Sequence, residues 1–117
     1  MAQDLEDPRP PTAKEVALVT FLASEDLRGA DELRAQIAGM TVARNCDCGC
    51  ESFSIHVRDD APSSAWSHAA TPGAYGRDGR LLNAFLFTRE GRLVGAEITY
   101  HDGTARGVPD VDDLQFY

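Results

Sequence analysis

The hydrophobic positions along this chain change period near residue 40, and the change separates two kinds of element. Before it the spacing is helical. Thr12-Ala13-Lys14-Glu15 has the form of a capping box, in which the threonine hydroxyl accepts from the N3 amide and the glutamate reaches back to the cap amide. Val16, Ala17, Leu18, Val19, Phe21 and Leu22 follow and wrap around much of the circumference, which predicts a well-buried helix. Ser24-Glu25-Asp26-Leu27-Arg28-Gly29 interrupts the pattern. Ala30, Leu33, Ile37 and Ala38 then resume it as one stripe, predicting a second, short amphipathic helix, and Gly39 suits its C-terminal end because a positive φ costs glycine least.

After residue 40 the period is two. Thr41-Val42-Ala43-Arg44 is β-compatible, and Phe53, Ile55 and Val57 alternate with Ser54, His56 and Arg58 as in a half-buried strand. The apolar phase is even at Val42 and odd from Phe53, so a turn or bulge around Cys48-Gly49 is expected to shift it, making 41 to 58 a hairpin. Leu81 to Thr88 is apolar on both faces, as in a central strand; Glu90-Gly91 turns the chain and Leu93 to Tyr100 returns beside it. The expected fold is therefore α+β, two N-terminal helices packed on a four-stranded antiparallel sheet.

Two stretches carry no period. Residues 1 to 11, with Pro8, Pro10 and Pro11 among charges, read as a flexible lead-in. Residues 59 to 80 read as a long loop, and loops of about 20 residues in a small domain tend to be functional or disordered. Trp66, His68 and Tyr75 lie in it, and large aromatic groups there predict a segment folded back over apolar surface, to complete the core before serving as a lid. The acidic end, closing on Leu114, Phe116 and Tyr117, is expected to dock across the sheet.

Length and composition narrow the function. A chain of 117 residues, 43% hydrophobic and 26% charged, suits one globular domain over 1–117. Its formal charge of −8, from 19 acids against 11 bases with no basic cluster, speaks against nucleic acid and anionic membrane as partners, since phosphate binding needs concentrated positive charge. The acidic Met1 to Asp7 does not read as a secretory leader, and the apolar run from Val16 to Ala23 is too short to span a bilayer. A cytoplasmic protein is expected.

Candidate chemistry gathers in Arg44-Asn45-Cys46-Asp47-Cys48-Gly49-Cys50-Glu51, which holds all 3 cysteines. In a reducing compartment such thiols are free, metal-bound or catalytic. Zinc at ~2.3 Å from each thiolate requires sulfurs less than ~4.6 Å apart, whereas an extended strand would separate Cys46 from Cys50 by ~13 Å. Only a tight turn at Gly49 could make Cys46, Cys48 and Cys50 metal ligands; a fourth would come from Asp47, His56 or His101, and the paired C-x₂-C spacing of zinc sites is missing. A redox thiol would need a depressed pKa, which Arg44 favours and Asp47 and Glu51 oppose. Small apolar packing of the cysteines around a glycine turn is the preferred reading, with zinc second and thiol redox third.

No serine elbow, phosphate loop or dinucleotide glycine pattern is present, and no nucleophile, base and orienter can be named together, so an enzyme is the less favoured class. At Arg44 to Ile55 and again at Gly91 to Gly103 the chain resembles a group of small bacterial proteins, mostly actinobacterial, that lack an assigned activity. The resemblance spans about residues 15 to 113, is weakest in the middle loop, and implies no catalytic role for any residue. The function expected from the residues themselves is a binding or protein-interaction module with no cofactor. Trp66, Tyr75 and Phe85 are its candidate ligand-binding side chains, and its acidity suits a basic partner, as in proteins that neutralise toxins. A protein, a small molecule and a second copy of the chain are the alternative partners.

Overall fold

The computed structural model describes residues 8–24, 26–44, 52–77, 82–101 and 107–116. Helix α1, Ala13–Leu22, starts at the expected capping box: Glu15 N–H donates to Thr12 Oγ1 at 3.2 Å, and Thr12 N–H donates to Glu15 Oε1 at 2.8 Å. Leu18, Val19 and Leu22 are fully buried while Ala17 is exposed, so the helix buries one face and its flanks. Two carbonyls at its C-terminal end are satisfied from the next helix, α2, Ala30–Ala35. Arg34 Nε donates to Ala23 O at 2.8 Å and its Nη2 to Thr20 O at 3.3 Å, which fixes the angle between the helices with bonds no helix can make internally.

The strands are β1, Thr41–Arg44; β2, Phe53–His56; β3, Ala74–Gly76; β4, Leu82–Arg89; β5, Arg92–Tyr100; and β6, Leu114–Phe116. They form one six-stranded sheet in the order β1-β2-β5-β4-β3-β6, with every neighbouring pair antiparallel. The fold is α+β, as expected. The four-stranded count is corrected to six, because β3 and β6 are three-residue strands with too few positions to show alternation.

Val42 pairs with Ile55 and Thr41 with His56, so the 41 to 58 hairpin forms. Its change of apolar phase needs no extra residue among these strands, since an even and an odd position are already cross-strand partners. The sheet's irregularity lies in the second hairpin, where Phe87 pairs with Gly95 and Thr88 with Leu93, leaving Val94 as an inserted residue. At its tip Glu90 and Gly91 take φ of +53° and +77°, the pair of left-handed conformations that a tight two-residue turn demands.

Part of the stretch read as a long loop, the 69–71 segment and β3, runs alongside β4. Thr88 N–H donates to Ala69 O at 2.8 Å, Thr71 N–H donates to Leu86 O at 2.9 Å, and Leu86 N–H donates to Thr71 Oγ1 at 3.0 Å. Pro72-Gly73 interrupts this pairing before β3 resumes it along β4. Upstream, Ser64 N–H donates to Gly91 O at 2.8 Å and Ser64 Oγ to Gly29 O at 2.7 Å. Gly29, at φ +82°, is required there: a Cβ would lie 2.2 Å from Ser64 Oγ and 2.7 Å from Ala65 N.

Both ends of the sheet are closed differently from expectation. In the proline-rich lead-in, Arg9 exchanges two 2.9 Å backbone bonds with Val42, and its guanidinium grips Glu15 at 2.9 Å through both oxygens. Pro8 and Pro10 on either side have no N–H to offer, so the segment seals the β1 edge without extending it. At the other edge the acidic C-terminal stretch joins the sheet as β6 instead of crossing it, and Phe116 stacks on Phe21 of α1 with ring centroids 4.7 Å apart.

The core lies between the helices and one face of the sheet, around Leu18, Leu22, Leu33, Leu86, Leu93, Ile98 and Leu114. One polar side chain is sealed into it. Gln36, just past α2 and with no exposed surface, donates through Nε2 to Pro62 O and Gly91 O and accepts from Leu93 N–H through Oε1, each at 2.8 Å. A single amide thus ties helix layer, loop and β4–β5 turn together.

Candidate functional site

The site is built from the alternation of β4 and β5. Leu82, Ala84, Leu86 and Thr88 point into the core, so Asn83, Phe85, Phe87 and Arg89 point to the opposite face of the sheet. Register then places Glu97 opposite Phe85, and Gly95 between Phe87 on one side and Ser54 on the other. Because Gly95 carries no side chain, the middle of this face is open, and the ring of Phe87 lies 3.8 Å from where a Cβ would stand.

A cleft of about 620 Å³ occupies that opening. It runs from Ser52 and Phe53, across residues 94–97 and 87–90, to Ser67, His68 and Ala69. Phe87 is 40% exposed and meets Phe85 edge to face, centroids 5.0 Å apart at 79°. Phe87 and Phe116 are the large hydrophobic side chains left most exposed among the described residues, and Phe87 is the one that stands beside a cleft. The inserted Val94, half-buried, adds apolar lining.

The rim is charged. Glu97, partly buried, accepts from Thr99 Oγ1 at 3.2 Å, and no ion pair joins it to a cation among the described residues. Arg89 and Glu90 stand at the hairpin end of the cleft. His68 closes the opposite wall, its carbonyl accepting from the Thr88 hydroxyl and its ring 4.9 Å from that of Trp66. Carboxylate, aromatic ring and open floor together offer non-covalent contacts to a group that is both cationic and apolar.

The structure divides the three aromatic residues singled out from the sequence. Tyr75 stands opposite Asn83 on the outer face, making it a diagonal neighbour of Phe85, and both are partly exposed. Trp66 is elsewhere: it packs against the core on the helix side, its amide donating to Ser64 Oγ at 3.0 Å and its indole Nε1 buried with no hydrogen-bond partner among the described residues. None of the three lines the cleft. Tyr75 and Phe85 extend its apolar surroundings along the sheet, and Trp66 backs His68.

Cys46, Cys48 and Cys50, with Asp47, lie outside the described residues. Of the two histidines considered as a fourth zinc ligand, His56 pairs with Thr41 at the end of the hairpin remote from the cysteine stretch, and His101 Nε2 is 2.8 Å from Asn83 Nδ2. Among the described residues no group of three His, Cys, Asp or Glu side chains could hold a metal ion, and no helix there is long and apolar enough to cross a membrane.

Phe87, Gly95 and Glu97 were missed by sequence reasoning. The signal was present in Leu81 to Thr88, apolar on both faces: a strand in a two-layer fold can bury only one of them, so the other must carry exposed aromatic groups. No protein-family model, no curated protein and no solved structure matches the chain.

Proposed function

We propose that the chain is a binding module that receives a segment of a partner protein in the cleft formed by Phe87, Gly95 and Glu97. The observation that carries this reading is the 40% exposure of Phe87 over an open cleft of about 620 Å³ on the sheet face opposite the helices. The volume falls within the ~300–1,000 Å³ of ordinary ligand sites. Its lining runs from β2 across β5 and β4 to the 67–69 segment, a spread over several strands that suits a segment of chain better than a compact small molecule. Aromatic residues are enriched at the centre of protein interfaces, where one exposed ring can dominate the affinity.

The test is selection of peptides from a random display library on the whole chain, followed by mapping of amide shifts with the selected peptides. Shifts should concentrate at Phe87, Gly95, Glu97 and His68, and Phe87→Ala should weaken binding about tenfold or more while leaving the amide spectrum otherwise folded. Binders that map to the helix side, or that are indifferent to Phe87→Ala, would overturn the reading. Selection that fails while small apolar molecules shift the same amides would replace the protein partner with a small ligand.

A further inference from the structure

We infer that the segment received in this cleft presents an arginine side chain to Glu97, with its stem lying across Phe87. This rests on the binding-module reading above. Glu97 projects outward from the middle of β5 and is partly buried, and Thr99 Oγ1 is its hydrogen-bond donor; its carboxylate has unused acceptor capacity and no cation beside it among the described residues. Phe85 faces it directly across the strands, and Phe87 lies diagonally beyond the gap left by Gly95. A carboxylate directly opposite one aromatic residue and diagonal to a second favours a cation that also carries apolar surface. Guanidinium fits better than ammonium, because it is planar, stacks on rings and can reach both carboxylate oxygens at once.

The charge around the cleft agrees. Arg89 is the one arginine among the described residues that line it, and it lies at the far end: four positions along β4 separate it from Phe85, the partner of Glu97, or ~13 Å at ~3.3 Å per residue. Glu90 stands beside Arg89 at that end. The Glu97 end is therefore anionic, and the net charge of −8 steers basic partners toward the molecule while repelling acidic ones.

The experiment titrates the whole chain with N-acetyl-arginine amide and, separately, with its neutral isostere N-acetyl-citrulline amide, following backbone amide shifts at low and at physiological salt. The arginine probe should give saturable shifts at Gly95, Glu97 and Phe87 that weaken with salt, the citrulline probe should give none there, and Glu97→Gln should reduce affinity about tenfold with an otherwise unchanged spectrum. Phe87→Leu, which keeps apolar bulk and removes the ring, should reduce it less but measurably. Equal binding of citrulline, indifference to Glu97→Gln, or shifts spread evenly over other acidic sites such as Asp59 and Asp60 would overturn the inference. Library peptides that map to the cleft yet carry no basic residue would overturn it too, while leaving the binding-module reading standing. Concentration-dependent shifts at Phe87 without any probe would put a second copy of the chain in the cleft and also overturn it.

Discussion

The two faces of β4 differ in burial at every step along the strand. Leu86 points to the helices and has no exposed surface, whereas Phe87, the next residue, points away and is 40% exposed. The inner face is aliphatic and closed by α1 and α2; the outer face is aromatic, glycine-gapped and edged with charge. One strand thus holds the fold together with its even positions and presents a surface with its odd ones. The difference teaches that hydrophobicity alone does not report burial: Phe85 and Phe87 are as apolar as their neighbours and are placed by alternation where no helix covers them.

The sharpest way to break this comparison is to truncate adjacent residues. Leu86→Ala should cost about 2–5 kcal/mol by opening a cavity in the core, and Phe85→Ala less than about 1 kcal/mol, since outward positions carry little packing. Denaturant melts that showed equal losses would mean that the outer face is also a core. The next largest effect belongs to Gln36→Leu, which leaves Pro62 O, Gly91 O and Leu93 N–H without their side-chain partner inside the helix-facing layer. About 2–3 kcal/mol should be lost for these stranded polar groups, and a neutral result would show that the amide is only filling space.

Glu15 sharpens the comparison through pH, because it is the charged residue buried in the helix layer. Burial pushes its carboxyl up, but the bonds from Arg9 and the Thr12 amide, the Arg9 charge and the Thr12 hydroxyl together outweigh it and hold the pKa below its ordinary value of 4.5. A folded pKa below the unfolded one means that the charged form stabilises the fold above about pH 4.5 and that this contribution fades as pH falls through the folded value. Glu15→Gln should therefore be less stable than the natural chain at pH 7, by about 1 kcal/mol or more, with the gap closing in acid; a gap independent of pH would sink the assignment. Outer-face Phe87→Ala should change stability by no more than about 0.5 kcal/mol while weakening peptide binding about tenfold or more, and a large loss of stability would place Phe87 in the core instead.

The smallest expected effect is at the cysteines. If Cys46, Cys48 and Cys50 pack without metal, protein purified without a histidine tag should carry less than about a tenth of an equivalent of zinc, and its melting temperature should not move on chelation, since a structural zinc site contributes strongly to folding. A full equivalent of zinc, with melting lowered by chelation, would shift attention from the sheet face to the hairpin connection.

Much of the fold was legible in the residues. The capping box of Thr12 and Glu15, the positive φ of Gly39 and the turn at Glu90-Gly91 all stand as local chemistry predicts, whereas of the stripe Ala30, Leu33, Ile37 and Ala38 only the first two are buried in a helix, because α2 ends at Ala35 and leaves Ala38 exposed. Ala74–Gly76 and Leu114–Phe116 were not legible as strands, because three residues bounded by glycine, proline and aspartate show no period; they pair only because β4 presents an open edge and β3 then presents the next. The site was less legible still. Tyr75 and Phe85 could be named as aromatic candidates, but Trp66 shared their character and folded to the other side, where the 64–66 segment is tied to Gly29.

By itself, then, the sequence determined where α1 starts, which strand positions share a face and how the β4–β5 hairpin turns, because each of these depends on a few neighbouring residues and their backbone preferences. Only the tertiary structure decided which face of β4 the helices would cover, that Arg9 would seal one sheet edge and β6 form the other, and that Phe87 and Glu97 would stand diagonal to each other beside Gly95. These depend on pairing between residues distant in the chain. The free energy of that pairing comes from the surface that two segments bury together, and the pattern of either segment alone does not contain it.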